Sequence, residues 1–293
     1  MALMDINHSY WKARWPAPAK LNLMLRIVGR RVDGYHLLQT VFQFVELCDW
    51  IRFHPDVSGR VSLKNTLPNV AESEDLTVRA AVLLKAVTGC PQGVCIEVEK
   101  NLPMGGGLGG GSSDAATVLV VLNQLWGLQL STEKLMELGL SLGADVPIFV
   151  FGRASWAEGV GEKIEPIILP EPWVVIIKPD CHVNTKEIFC ADELTRDSKS
   201  IKISDFTAGQ HQNDCLDVVC QRYPLVKNAL ADLSAFSDAK LTGTGACVFA
   251  QFDSEINANK AYQSLKLKWQ AHLSKCINES PLFSMMNSGV SLS

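Results

Sequence analysis

The glycine-rich stretch PMGGGLGGGSSDAA, residues 103–116, is the segment of the sequence best suited to chemistry. Six of the seven positions from Gly105 to Gly111 are glycine. Glycine loses more conformational freedom on folding than any other residue, so such a run is destabilising unless a function requires it. A strand-like segment, VCIEVEKNL, precedes the run, and an apolar helical pattern follows it. Free amides and the dipole of a helix N-terminus attract anions, so a phosphate-binding loop is favoured over a flexible linker.

The spacing of the glycines separates several kinds of phosphate loop. Gly105, Gly107 and Gly110 formally satisfy the dinucleotide pattern G-x-G-x-x-G, but no acidic residue closes a second strand about 20 residues later. No Gly-Lys-Ser/Thr follows, so a Walker A loop is excluded. A protein-kinase loop bridges two strands and is also a poor match. Ser112 or Ser113 is expected to cap the following helix, with Asp114 in its first turn, and both hydroxyls could bind a phosphate oxygen or Mg²⁺.

Other polar residues could complete a site. Lys20 and Asn22 share one face of the alternating segment APAKLNLMLRIVG, which predicts a half-buried strand; a solvent-exposed lysine is the alternative. Asp145 precedes a short helix with Pro147 in its first turn, and from the sequence alone a helix cap and a catalytic base are equally supported. A second glycine loop, LTGTGA, lies at residues 241–246.

The surrounding pattern predicts an α+β fold of two domains with a cleft between them. Residues 1–165 form the proposed N-terminal domain, and residues 166–293 form a C-terminal α+β domain that begins at the linker PIILPEP. Antiparallel strands are expected around the Asp33-Gly34 turn, and helices are expected at EDLTVRAAVLLKAVTG and STEKLMELGLSLG. Further helices are expected near 214–233 and 254–269. The first fourteen residues look like an extension, and the last ten are expected to fray.

Composition narrows the possible partners. The formal charge of −4 and the absence of a basic stripe argue against a nucleic-acid partner. No apolar run is long enough to cross a bilayer, so no membrane partner is expected. The nine cysteines include no Cys-x-x-Cys pair, which is typical of a reduced, cytoplasmic protein. No metal ligand is assigned to the protein itself.

Four segments resemble one known superfamily, that of galactokinase, homoserine kinase, mevalonate kinase and phosphomevalonate kinase. They are PAKLNLMLRIVGRRVDGYH, LPMGGGLGGGSSDAA, LGADVPIFV and LTGTGACVFA, in unbroken order over nearly the whole chain. PAKLNL with DGYH is similar to the branch that phosphorylates the 2-hydroxyl of a cytidine-diphosphate-linked methylerythritol on the non-mevalonate isoprenoid pathway. The resemblance implies a cytoplasmic small-molecule kinase with ATP as co-substrate and Mg²⁺, and a monomer or weak homodimer. It makes residues 1–165 the ATP-binding kinase domain and residues 166–293 the substrate domain.

The resemblance also implies roles for individual residues. Asp145 matches the catalytic base, and Lys20 matches the lysine that reaches the acceptor hydroxyl and the developing charge. The residues implied for ATP are Pro103, Met104, Gly105, Gly106, Gly107, Leu108, Gly109, Gly110, Gly111, Ser112 and Ser113, with Lys100 and Asp75 close to the adenosine. Those implied for the acceptor are Asn22, Tyr35, His36, Thr185, Phe189, Thr242 and Gly243, with the cytidine held by Tyr35, His36 and Phe189.

Several points of the match stay open. Asparagine is expected where Asp75 stands, and a carboxylate offers no donor to adenosine. Phe189 lies in VNTKEIF, which matches the family only loosely, so a core phenylalanine is an alternative. A sister kinase for homoserine or mevalonate, a nicotinamide oxidoreductase and a nucleotide-binding module without turnover are the competing functions. DGYH argues against the sister kinase, and the joint presence of Lys20 and Asp145 argues against a pure binding module.

Overall fold

The computed structural model describes residues 9–32, 34, 36–66 and 70–288. The strands within these residues are β1 (Trp15–Arg30), β2 (His36–Asp56), β3 (Val61–Leu63), β4 (Gly93–Glu99), β5 (Ser155–Gly159), β6 (Lys163–Pro166), β7 (Trp173–Lys178), β8 (Ala239–Leu241), β9 (Val248–Phe252) and β10 (Gln270–Ile277). The helices are α1 (Leu76–Thr88), α2 (Gly110–Leu125), α3 (Thr132–Leu142), α4 (Val146–Phe151), α5 (Thr185–Phe189), α6 (Ile203–Thr207), α7 (Leu216–Arg222), α8 (Pro224–Ser234), α9 (Glu255–Leu265) and α10 (Pro281–Asn287). The predicted α+β class is confirmed.

The strands of the described residues form one sheet in the order β3-β4-β2-β10-β7-β9-β8, with β1 and β5 also paired to β2 and β6 paired to β5. The long strand β2 is the hub, because different parts of it pair with β1, β4, β5 and β10. β10 runs antiparallel to both β2 and β7. It therefore joins the N-terminal and C-terminal halves of the chain, and the sequence had not predicted this strand.

Strand β1 differs from the half-buried strand predicted for it. Both of its faces are covered, and Lys20 and Asn22 are as buried as their apolar neighbours. Register shifts after Pro18, Asn22 and Ile27 interrupt the simple alternation. The side chain of Met24 consequently packs in the same apolar cluster as Leu21 and Leu23, although the alternation had placed it on the polar face.

The helices predicted by capping signals are present. Asp75 caps α1, which ends at the left-handed Gly89, and Ser131 caps α3. α2, however, begins two residues before the first predicted cap. Gly109, with φ of 75°, is its N-cap. Ser112 and Ser113 lie inside the helix, and Asp114 follows the first turn, so the predicted serine cap and the position assigned to Asp114 are wrong.

Three apolar clusters hold these elements together. The first packs α1 and α2 against one end of the sheet, and the second fills the C-terminal half. The third contains residues from both halves, including Leu21, Val45, Val174 and Phe249, and Leu108 of the glycine loop packs into it. The two halves therefore share part of their core. The division at residues 165 and 166 stays a prediction.

Both ends of the described chain pack against its core. Tyr10 is buried in the first cluster, and its hydroxyl donates to the carbonyl oxygen of Met286 at 2.9 Å. Of the ten residues expected to fray, α10 contains residues 284–287, and Met285 is buried. Residues 289–293 lie outside the described part. Among the described helices, none is long and apolar enough to cross a membrane.

Candidate active site

The glycine loop at residues 105–111 is in close contact with the second glycine loop at residues 241–246. The amide of Cys247 donates to the carbonyl oxygen of Gly106 at 3.0 Å. Gly107 has a φ of 78°, and a Cβ there would lie 2.6 Å from the carbonyl oxygen of Thr242. A Cβ on Gly109 would lie 2.7 Å from the ring of Phe149. The glycines are therefore needed for close approach as well as for positive φ.

A cavity of about 400 Å³, the loop cavity, lies over this loop and the N-terminus of α2. Its lining includes Asp75, Lys100, Asp145, Pro103, Met104, every residue from Gly105 to Gly111, and Ser112. The sequence therefore identified most of the residues that surround it. The converging amides and the positive end of α2, a helix of 16 residues, make the cavity suitable for a polyanion.

Lys20 and Asp145 meet at the edge of the loop cavity. The Lys20 ammonium is 3.2 Å from Asp145 Oδ2, and it donates to the side-chain oxygen of Asn22 at 2.6 Å and to the carbonyl oxygen of Gly107 at 3.0 Å. The Lys20 side chain is 4% exposed, whereas that of Asp145 is 38% exposed. In the described structure the Asp145 side chain makes no capping hydrogen bond to α4. The capping alternative for Asp145 therefore has no support from its contacts.

Asn22 is fixed by hydrogen bonds on three sides. Its amide nitrogen Nδ2 donates to Thr40 Oγ1 at 2.9 Å, and its backbone N–H donates to Thr242 Oγ1 at 3.0 Å. Thr40 in turn donates to the carbonyl oxygen of Met24 at 2.6 Å. This network orients the Asn22 oxygen toward the Lys20 ammonium. Lys20 is thus held in one position by buried partners rather than left on the solvent face.

Two further cavities open on the other side of Asp145. The junction cavity, about 300 Å³, includes Lys20, Asn22, Asp145, Thr185 and Gly243 in its lining. The outer cavity, about 470 Å³, is lined in part by Arg30, His36, Lys186 and Phe189. Leu38, Ala144, Val160 and Phe189 line both of them. Gly107, Ser112 and Asp145 line the loop cavity as well as the junction cavity, so these three residues stand between the two spaces.

His36 and Phe189 form an aromatic wall of the outer cavity. Their ring centroids are 5.1 Å apart and their planes differ by 26°, so the rings stack on each other. This contact joins β2 to α5 across the cleft. Phe189 therefore lies at a cavity wall and not only in the core, which was the alternative left open by its sequence context. Tyr35, predicted as its partner, lies outside the described residues.

The comparisons with known proteins agree with this geometry. Residues 75–153 match the family model described as "GHMP kinases N terminal domain", and residues 199–271 match "GHMP kinases C terminal". The 4-diphosphocytidyl-2-C-methyl-D-erythritol kinase of Methylococcus capsulatus is 58% identical over 94% of this chain and 94% of its own. That of Nitrosococcus oceani is 55% identical over 92% of this chain and 96% of its own. The chain belongs to the GHMP kinases. It is therefore a phosphotransferase, as the sequence motifs indicated.

Solved structures give the same result. A crystal structure of 4-(cytidine 5'-diphospho)-2C-methyl-D-erythritol kinase matches with a TM-score of 0.79 and 31% identity, covering 90% of this chain and 99% of that one. The Methanococcus jannaschii mevalonate kinase matches with a TM-score of 0.68 at 15% identity, covering 91% of this chain and 98% of that one, which shows a shared fold. The resemblance inferred from the four motifs is thus confirmed.

One group beneath the glycine loop of this GHMP kinase was not predicted as a unit. Lys100 bonds to the carboxylates of Asp49 and Asp114, and Asp49 also accepts the backbone N–H groups of Asn101 and Leu102 at 2.6 and 2.7 Å. Asp49 is fully buried in β2. Its only sequence signal is an acidic residue inside the apolar strand pattern VELCDWIRF. The group ties the entry of the loop to β2 and α2.

Burial and the neighbouring charges shift the pKa values of Asp114 and Lys100. Burial raises the pKa of Asp114 to about 7; the Lys100 ammonium opposes the shift and the Asp49 carboxylate adds to it. Burial lowers the pKa of Lys100, but the two carboxylates outweigh it, and the pKa is raised overall. Two carboxylates share one ammonium, so a proton on Asp114 relieves an excess negative charge.

Two residues implied for ligands do not line the three cavities, and a third has a second role. Ser113 is buried behind the loop, and Thr242 is fully buried with its hydroxyl bonded to Asn22, so Thr244 lines the junction cavity in its place. The Asp75 carboxylate accepts from both the backbone N–H and the hydroxyl of Thr77. Asp75 thus lines the loop cavity while serving as the N-cap of α1, which accounts for a carboxylate at this position.

Proposed function

We propose that this GHMP kinase transfers the γ-phosphoryl group of ATP to the 2-hydroxyl of 4-diphosphocytidyl-2-C-methyl-D-erythritol, a step of the non-mevalonate route to isopentenyl diphosphate. The observation that carries the proposal is the Lys20–Asp145 pair, which stands between a polyanion cavity and an aromatic-walled cavity. The names of the most similar relatives support the choice of acceptor.

ATP would occupy the loop cavity. The amides of residues 105–111 and the N-terminus of α2 would surround its phosphates, and the Ser112 hydroxyl would face the transferred group. Lys100 and Asp75 line the same cavity, and the resemblance implies that the adenosine lies close to them. Because phosphoryl transfer depends mainly on positioning and charge, this arrangement supplies much of what the reaction needs.

Asp145 would act as the general base. Its carboxylate is the more exposed member of the pair, so an acceptor hydroxyl in the junction cavity could reach it. The carboxylate would accept the hydroxyl proton as the oxygen attacks the γ-phosphorus. Lys20, held by Asn22 and Gly107, would stabilise the charge that develops on the acceptor oxygen and the phosphoryl group.

The residues between the cavities also fit a magnesium ion. The Ser112 hydroxyl and the Asp145 carboxylate are oxygen donors, the ligand type that Mg²⁺ prefers, and both line the loop and junction cavities. When bound with the nucleotide, the ion would neutralise charge on the phosphate oxygens.

The acceptor would extend from the junction cavity into the outer cavity. Its reacting hydroxyl would lie near Asp145, and its cytosine would reach the wall formed by His36 and Phe189. Stacking on an aromatic face together with hydrogen bonds to the base edge would select a cytidylyl group.

The choice of acceptor is tested by measuring ADP release from ATP and Mg²⁺ with a panel of alcohols. The proposal expects ADP release that depends on 4-diphosphocytidyl-2-C-methyl-D-erythritol and stays at background with homoserine and mevalonate. Release with homoserine or mevalonate instead would retain the kinase and overturn the acceptor. Background release with every acceptor would overturn the proposal as a whole.

A further inference from the structure

Arg196 connects the two halves of the aromatic wall. Its Nη2 donates to the carbonyl oxygens of Phe189 and Ala191 at 3.0 and 2.5 Å, and its Nη1 donates to that of Leu194 at 3.1 Å. Its Nε donates to the ring nitrogen Nε2 of His36 at 3.3 Å. One guanidinium therefore holds the end of α5, which carries Phe189, against His36 on β2. Arg196 does not line the outer cavity in the described structure.

The bond to His36 determines which ring nitrogen carries the proton. A guanidinium N–H can only donate, so His36 Nε2 must accept. In neutral imidazole the other nitrogen is then the protonated one, which makes Nδ1–H a hydrogen-bond donor. Within the described residues, Nδ1 has no protein hydrogen-bond partner, and His36 lines the outer cavity. As far as the described residues show, Nδ1–H is therefore available to donate to a ligand in this cavity.

We propose that Arg196 is a positioning residue for the acceptor: it fixes His36 as the neutral Nδ1–H tautomer and locks it against Phe189. This inference rests on the proposed function, because it assigns the outer cavity to the cytosine of the acceptor. The wall then presents an apolar face for stacking and one donor suited to the acceptor atoms on the base, its O2 or N3. Arg196 contributes without touching the substrate.

The charges around His36 support the same state. Arg196 follows α5, Arg30 pairs with His36 across β1 and β2, and Lys186 on α5 lines the same cavity. Burial lowers the pKa of His36, and the positive charges of Arg196 and Arg30 lower it further. Protonation would place a proton on Nε2, which could then no longer accept from Arg196 and would face its N–H unfavourably. The neutral tautomer therefore persists to lower pH than in an ordinary histidine.

The first test is the tautomer itself, measured in the full-length protein without substrate. Two-bond ¹H–¹⁵N correlation spectra, with the His36 signal assigned by its loss in His36→Gln, should give the Nδ1–H pattern at pH 8. In Arg196→Gln that pattern should weaken toward a tautomer mixture, and the pKa of His36 should rise. The control is Arg222→Gln, which removes a surface ion pair with Glu193 and should leave the His36 signal unchanged. An Nε2–H pattern in the wild-type protein would overturn the proposal.

The second test separates binding of the acceptor from the other steps. Arg196→Gln should raise the KM for the acceptor by up to about tenfold, the upper end of the effect of losing one hydrogen bond between neutral groups. Its kcat and its KM for ATP should stay within about twofold. As the pH is lowered through the pKa of His36, the KM of the wild-type protein for the acceptor should rise because the Arg196 contact is lost. That of the variant should not rise, because it has no such contact to lose and imidazolium keeps the proton on Nδ1. Arg196→Lys keeps the charge but cannot span four acceptors, so it should raise the KM as well.

The outcomes distinguish this inference from the proposed function. Equal increases in the KM for ATP and in the KM for the acceptor, with the same pH profile as the wild-type protein, would indicate a general structural role of Arg196. That result would overturn the positioning role. A wild-type protein that ignores the cytidylyl acceptor would overturn the proposed function, while the spectra would still decide whether Arg196 sets the His36 tautomer.

Discussion

At the scale of residues, the sequence marked Lys20 and Asp145 as candidate site residues but did not predict the surroundings that bring them together. The alternation in PAKLNL placed Lys20 on a polar face, and a polar face is ordinarily expected in solvent. The structure buries that face under the two glycine loops, where Asn22 and Gly107 bind the ammonium. Asn22 lies only two residues from Lys20, but Gly107 lies 87 residues away, so no local pattern could have predicted that contact or the burial that comes with it.

Asp114 gives a pH-dependent prediction. Its pKa in the folded protein, about 7, lies above the ordinary value of 3.8, so folding takes up a proton between these limits. A raised pKa means that the contribution of Asp114 to stability is fully present below its unfolded-state pKa and is lost as pH rises to about 7. Asp114→Asn removes this titration. The Tm of the variant relative to that of the wild-type protein should therefore increase from pH 5 to pH 7.5.

This comparison uses differences in Tm because other carboxylates titrate in both proteins and cancel. Thermal unfolding at several pH values measures it directly. A difference in Tm that stays constant between pH 5 and pH 7.5 would show that Asp114 is ionised throughout, contrary to this prediction.

At the scale of elements, the sequence located the phosphate loop and its helix but not where the helix begins. Serine is a stronger cap than glycine in general, so Ser112 or Ser113 was the natural choice. Gly109 takes that position because it adopts a left-handed conformation and has no side chain to meet Phe149. The cap thus lies three residues before Ser112, the first predicted cap, and Ser112 lies at the boundary between the cavities.

The close contact between the glycine loops can be tested at Gly107. A methyl group there meets the Thr242 carbonyl and requires an unfavourable φ, so Gly107→Ala should displace the loop. We expect the KM for ATP to rise at least about tenfold, because the amides no longer converge on the phosphates. The measurement is steady-state kinetics with ATP varied.

Gly127→Ala is the matched control for this change. Gly127 also has a positive φ, of 66°, but a Cβ there would meet no atom within 4 Å. It should lower Tm slightly and leave the KM for ATP unchanged. If both variants behave alike, the effect belongs to backbone strain and not to the contact between the loops.

At the scale of the whole molecule, the sequence predicted two halves but not the strand that joins them. β10 has the sequence QAHLSKCI, in which only Ile277 is β-branched, so its propensity to form a strand is weak. Its position is set by pairing with β2 and β7, which lie far away in the chain. The predicted helices and strands of the two halves could be assigned locally, whereas this connection depends on tertiary context.

The shared sheet predicts that the halves depend on each other for folding. In a fragment of residues 1–165, Leu21 and Val45 lose the cover of Val174 and Phe249, and β2 loses its pairing with β10. We expect the fragment to lack a cooperative thermal transition, as measured by circular dichroism. Adding residues 166–293 in trans should restore one. A cooperative transition in the fragment alone would show that the N-terminal half folds independently.

The role of Asp145 as the base that accepts the proton of the acceptor hydroxyl is tested most directly by Asp145→Asn. We expect turnover with the cytidylyl acceptor to fall by ~10²–10⁴-fold while the Kd for ATP, measured by calorimetry, stays within about twofold. Asp253→Asn, an exposed aspartate in the C-terminal half, is the control and should match the wild-type protein. Unchanged turnover in Asp145→Asn, or a loss of ATP affinity as large as the loss of turnover, would contradict the account.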